Sequence, residues 1–148
     1  MKNKKIIALI VILVIAIICV IAFFGIKRIK KSQYTKADEY EVGGVKFASV
    51  NKIIGEKKVT KYVHEKSNID KLELTFQDSD KENTVETYIN YIKDNGNYID
   101  MRTEEQNKRQ IASTTDKGLI TVQTEITSDG FILTIEVGEG NIKIDPIE

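Results

Sequence analysis

The chain is poor in the residues that usually announce chemistry. One cysteine excludes an internal disulfide framework, one histidine excludes a multi-histidine metal cluster, and tryptophan is missing altogether. No tract is collagen-like, mucin-like or otherwise of low complexity, and no Pro-rich or Gly/Ser-rich stalk is present. Acidic residues are missing from the first 31 positions, which hold seven basic ones: Lys2, Lys4, Lys5, Lys27, Arg28, Lys30 and Lys31. The balanced total of 22 basic and 22 acidic residues therefore conceals a head of charge +7 on a body of charge −7.

Between the two basic clusters, residues 6–26 (IIALIVILVIAIICVIAFFGI) form 21 consecutive positions without a charge. As a helix this run spans about 31 Å, close to the hydrocarbon thickness of a bilayer. Backbone amides find no water inside lipid, so a single segment can cross only as a helix. The reading is a transmembrane helix flanked by a basic tail, residues 1–5, and a basic collar. A cleaved secretory signal is the main rival, since Val20-Ile21-Ala22 offers a small-residue site. The apolar run exceeds the roughly 7–15 residues of a signal and continues through Phe23-Phe24, which favours a retained anchor. Cys19 follows Ile17-Ile18, where lipoprotein processing wants small residues, so it reads as a lipid-facing side chain.

Lys and Arg close to the span set its orientation, and here the flanks nearly tie, with three lysines and the terminal amine before and four charges after. A short basic start ahead of an apolar run is the pattern of a signal anchor. The expectation is a single-pass cell-membrane protein with its tail inside and its body extracytoplasmic; a cytoplasmic body is the alternative. Residues 27–41 are expected as the collar followed by an extended polar spacer, reaching at most about 35 Å over its last ten residues. A net-negative body would favour standing away from anionic lipid.

Residues 42–148 read as one small soluble α+β domain, in which one helix packs on a mostly antiparallel sheet. Leu72, Leu74 and Phe76 alternate with polar residues as a half-buried strand, and the pairs Val45/Phe47 and Val59/Val63 suggest weaker strands before it. Ser79-Asp80-Lys81-Glu82 reads as a capping box, after which Val85, Tyr88, Ile89 and Ile92 recur at helical spacing until Asn95-Gly96. Tyr88 is expected in the core, with Tyr91 at its edge. Ile99 and Met101 mark a further strand. A three-stranded meander is expected over the last third, with Asp129-Gly130 as a two-residue type I′ loop pairing Ile126 with Leu133 and Val122 with Val137. The strand order does not follow from the sequence.

Chemical motifs are few. Asp78, Asp80 and Glu82 alternate like the start of a calcium loop, but Asn83 stands where that loop needs Gly, and Ile89 where it needs Glu. His64, with Glu65 nearby, is the sole imidazole available as a base, and no Gly-x-Ser-x-Gly motif accompanies it. Gly43-Gly44 precedes a strand rather than a phosphate-binding helix, and the acidic body lacks the basic stripe of a nucleic-acid binder. No catalytic, cofactor or metal residue is assigned. Abundant Lys, Ile and Asn without Trp suit an AT-rich bacterial genome.

Three functional expectations follow. The favoured one is a membrane-anchored, noncatalytic domain that binds a protein or an envelope component, with the lipid bilayer as the other partner. The second is an accessory subunit of a membrane complex, contacting its partners through Ala16, Ala22 and Gly25 of the helix. The third is an enzyme of unidentified class working through His64.

Overall fold

The computed structural model describes residues 2–139. Helix α1 (Lys2–Lys36) is followed by β1 (Glu39–Val42), β2 (Val45–Ala48), the single turn α2 (Val50–Ile53), β3 (Lys58–Glu65) and β4 (Ile69–Gln77). Then come α3 (Lys81–Asp94), β5 (Ile99–Met101), β6 (Lys108–Thr115), β7 (Gly118–Ile126) and β8 (Gly130–Gly138). The architecture is α+β: one long apolar helix, then a small domain built on an antiparallel sheet.

α1 contains no helix breaker and runs unbroken through 35 residues. It is long and apolar enough to cross a membrane, and none of its most apolar stretch is buried against the rest of the chain. It also extends further than the sequence suggests. Of the ten residues expected as an extended spacer, 32–36 continue the helix, and β1 begins three residues later. The polar composition there reflects a helix with one face in solvent. The other face docks: Tyr34 and Thr35 turn toward the sheet, and Tyr40, 1% exposed, already belongs to the core. The carbonyls at the end of α1 are taken up locally, Ala37 O by the Ser49 hydroxyl at 2.5 Å and Lys36 O by Asn51 Nδ2 at 3.2 Å.

Six strands form the main sheet in the order β3-β4-β8-β7-β6-β5, every neighbour antiparallel. α3 carries the chain from β4 to the far edge, and the meander β5 to β8 returns until β8 pairs with β4. One face of this sheet is apolar, with Leu72, Leu74 and Phe76 of β4, Ile120 and Val122 of β7, and alternate residues of β8 from Phe131 to Val137. α3 covers it with Val85, Tyr88, Ile89 and Ile92, the residues expected from their spacing. The β1–β2 hairpin and α2 complete the layer. The hairpin turns at Gly43-Gly44, both at positive φ, as a two-residue type I′ turn requires. The opposite face is polar, with Lys71 set between Glu73 and Glu136.

Two local expectations are corrected. The β7–β8 hairpin pairs Ile126 with Phe131 and Val122 with Ile135, two residues tighter than expected, so its loop is Ser128-Asp129. A shift of two keeps every side chain on its expected face, so the apolar pattern could not detect it. Gly130 does not adopt positive φ and belongs to β8, opposite Gln77 of β4. The second correction concerns the start of α3. Its N-cap is Asp80, whose side chain makes no capping bond, and Asp78 supplies the acceptor in place of Ser79.

Candidate functional site

Of the basic residues that flank the apolar run, all seven lie on α1. Lys4 and Lys5 stand exposed near its start. Lys27, Arg28, Lys30 and Lys31 follow the run, and the Lys27 ammonium lies 4.3 Å from the centroid of the Phe23 ring. These residues form two basic clusters, one at each end of the apolar run. The second cluster leads into the place where helix and body join.

That junction is built on a bulge. β3 pairs with β4 through Lys58↔Gln77 and Val59↔Phe76, then skips Thr60, so that Lys61 faces Thr75. Without the extra residue, Val59 and Val63 would share a face. With it, Tyr62 and His64 turn to the apolar side, and Val63 goes to the polar one. Tyr34 of α1 fills the space above them. Its ring centroid lies 5.4 Å from that of Tyr62 and 6.4 Å from that of Tyr40, and its hydroxyl is 3.2 Å from His64 Nδ1. Thr35 donates to Lys31 O at 2.9 Å and accepts the Val59 amide at 3.0 Å, closing part of the free edge of β3.

His64 is thereby committed to packing. Burial, and after it the ammonium groups of Lys66 and Lys30, hold its pKa below 6.5, while Asp70 pulls the other way. Nε2 is shut off from solvent and finds no hydrogen-bond partner among the described residues. Glu65, the acid expected beside it, lies on the other face of the sheet, opposite Lys71. The lowered pKa favours the neutral imidazole, which the Tyr34 hydroxyl holds by its Nδ1.

At the other end of β3, Lys57, Lys58, Asp78, Lys81 and Asp129 line an open cleft of about 670 Å³. Its charges are largely spent on one another. Asp78, 6% exposed, takes Lys57 Nζ at 2.9 Å and the Asp80 amide at 3.0 Å on Oδ1, and the Thr84 hydroxyl at 2.5 Å on Oδ2. Burial raises the pKa of this carboxyl, but the bonds from Thr84, Lys57 and the Asp80 amide outweigh it and leave the pKa below 3.8. Lys81 donates to Ser128 O. The residues that resemble the start of a calcium loop thus join β4, α3 and the β7–β8 turn, and among the described residues no group of three His, Cys, Asp or Glu side chains is placed to hold a metal ion.

Tyr34, Thr35 and Asp78 carry these two sites; pattern reading passed over Tyr34 and Thr35 and took Asp78 only as the start of an incomplete calcium loop. Tyr34 sits in a polar stretch without periodicity, and its role depends on a bulge that no local signal marks. Asp78 was legible as an acid before a helix, one turn position too early. Comparison with protein-family models, with curated proteins and with solved structures yields no match.

Proposed function

We propose that this chain is a single-pass membrane protein in which residues 6–26 cross the bilayer and the α+β body serves as a noncatalytic binding module for a protein or an envelope component. The observation that carries the reading is the surface of α1. Leu9, Ile12, Ile21 and Phe24 are each 66–70% exposed, with nothing from the body against them. An apolar helical surface of this length in water is untenable, and a bilayer matches both its length and its basic ends. We assign the body to the extracytoplasmic side because Lys2, Lys4 and Lys5 ahead of an apolar run follow the pattern of a signal anchor. A binding role is favoured over a catalytic one because the single imidazole and, among the described residues, the buried carboxylate of Asp78 are both spent on structure.

Protease treatment of intact cells, with an epitope placed after Glu148, tests the placement. Loss of the epitope is expected, and protection until lysis would assign the body to the cytoplasm. Photocrosslinking from the body in intact membranes tests the role. A discrete adduct that persists when the span is exchanged for an unrelated apolar helix is expected. Loss of the adduct on that exchange would move the contact to the helix itself.

A further inference from the structure

α1 does not reach the body through a flexible linker, and this fixes what the body faces. The helix runs against β3 in the opposite direction. Thr35 lies at Val59, near the start of β3, and the Tyr34 side chain, leaning toward the N-terminus of its helix, reaches His64 near the end. Lys30, one turn further back, lies close enough to His64 to depress its pKa. The apolar part of α1 therefore leaves past the β3–β4 turn. The other turns at this pole are identified by the sheet register. Ile69 pairs with Gly138 and Gly138 with Leu119, and Lys117 of the β6–β7 turn donates to Gly44 O of the β1–β2 turn at 2.9 Å.

Helical rise then sets the level of this pole. Tyr34 lies about 12 Å beyond Ile26, and Lys30 about 6 Å beyond it. The headgroup layer of one leaflet is roughly 5–7 Å thick. From His64, β3 and its turn head back toward the span at about 3.3 Å per residue, which returns Lys66, Ser67 and Asn68 to the level of the collar. Ile69, beside them, is 50% exposed, and its neighbour across the sheet is a glycine.

We infer that the β3–β4 turn lies within the headgroup layer of the bilayer that α1 crosses, with Lys66 directed to lipid phosphates and Ile69 to the acyl boundary. This rests on the membrane-spanning reading proposed above. It reverses the expectation that a body of charge −7 stands clear of the membrane. Asp70, Asp116 and Glu139 also lie toward this pole, so net charge does not draw it down. The rigid helix-to-strand junction holds it there, with Lys27, Arg28, Lys30, Lys31 and Lys66 matched to phosphate.

The test uses the full chain with Cys19→Ala and a fluorophore on one new cysteine, introduced as Asn68→Cys, Ser128→Cys or Ile15→Cys. Each is reconstituted in nanodiscs of phosphatidylcholine and phosphatidylglycerol. Headgroup spin-labelled lipid is expected to quench the label at 68 several-fold more strongly than the label at 128, with position 15 shielded from iodide. A helical insert of about seven residues after Lys31 raises the body by roughly 10 Å while leaving Tyr34 and His64 together, and should abolish the difference. Equal quenching at 68 and 128 with position 15 shielded overturns the inference and leaves the anchor standing. Iodide access to position 15 overturns both. Strong quenching at 68 that survives the insert overturns the role given to the junction.

Discussion

The hydroxyl of Tyr34 lies 3.2 Å from Nδ1 of His64, a residue 30 positions later, and this contact ties the end of an apolar helix to the edge of a sheet. The two residues meet only because the Thr60 bulge turns His64 inward and because α1 stays helical beyond its apolar run. Helix and body consequently share one mechanical unit. Sequence alone would have them joined by a tether.

Tyr34→Phe removes the hydroxyl and keeps the ring. Loss of one partly buried hydrogen bond should lower stability by about 0.5–1.5 kcal/mol. Tyr34→Ala also strips the packing on Tyr62 and Tyr40 and should cost more, roughly 2 kcal/mol at a half-buried site. Urea unfolding of the full chain in detergent, followed by near-ultraviolet circular dichroism, checks both. Equal stability of wild type and Tyr34→Ala would remove the junction from the fold's energetics.

His64 gives the protein an acid-sensitive contribution of defined sign. Its pKa is held below 6.5 in the folded state, so the unfolded chain binds the proton first. The stability that depends on a neutral imidazole is complete above about pH 6.5 and is lost as pH falls through 6.5 toward the lower folded value. His64→Gln cannot titrate and should flatten the stability profile between pH 7.5 and 5. A profile unchanged by His64→Gln would mean that other groups set the slope.

Asp78 has the opposite setting. Its folded pKa is below 3.8, so its contribution is present above that value and fades as pH falls through the folded pKa. At neutral pH, Asp78→Ala leaves Lys57 and Thr84 without their acceptor and uncaps the Asp80 amide, at a cost of roughly 2–3 kcal/mol. Unfolding curves for the two proteins should converge in strong acid, where the wild-type carboxyl is also protonated. A gap that persisted there would point to packing as the source.

Gly130 and Gly25 make a matched pair of tests. A Cβ on Gly130 would stand 1.9 Å from the carbonyl oxygen of Phe76, against backbone that cannot move without breaking the β4–β8 ladder. A Cβ on Gly25 meets nothing within 4 Å. Gly130→Ala should therefore destabilise by about 3 kcal/mol or more, or prevent folding, and Gly25→Ala should be neutral to slightly stabilising in its helix. Were Gly130 a turn residue, as the Asp-Gly pair suggests, its substitution would be far milder. Expression and thermal melting of both variants decide between the two placements.

Where the sequence was legible, a single physical signal was strong enough to act alone. Twenty-one uncharged residues fix a helix, and strict alternation at Leu72, Leu74 and Phe76 fixes a strand. Spacing at Val85, Tyr88, Ile89 and Ile92 fixes the buried face of α3. What escaped depends on relations between distant segments. The spacer reads as polar because composition cannot distinguish a solvated loop from the solvent face of a docked helix. Tyr40 lies just ahead of the expected domain boundary and is buried, because β1 needs β2 beside it and strands β4 and β8 against it before its apolar side has anything to meet. The hairpin register slipped by two because alternation is blind to even shifts, and the steric demand at Gly130 comes from β4, some fifty residues earlier in the chain.

Thr124 offers a gain where the other substitutions offer losses. It lies on the apolar face of β7, 1% exposed, between Leu133 of β8 and Arg109 of β6. Its hydroxyl finds no hydrogen-bond partner among the described residues. A buried hydroxyl left unpaired carries a desolvation penalty of roughly 1–3 kcal/mol in mutational series. Valine has nearly the same shape and the same branching at Cβ, so Thr124→Val removes the penalty without opening a cavity, and the β propensity of the position is kept. The variant should be more stable than the wild type by about 1 kcal/mol. Thr124→Ser, which keeps the hydroxyl and deletes the methyl group, should lose about as much. Chemical denaturation of the three proteins at one pH settles the matter. A destabilised valine variant would mean that the hydroxyl is satisfied in solution by a partner such as an ordered water.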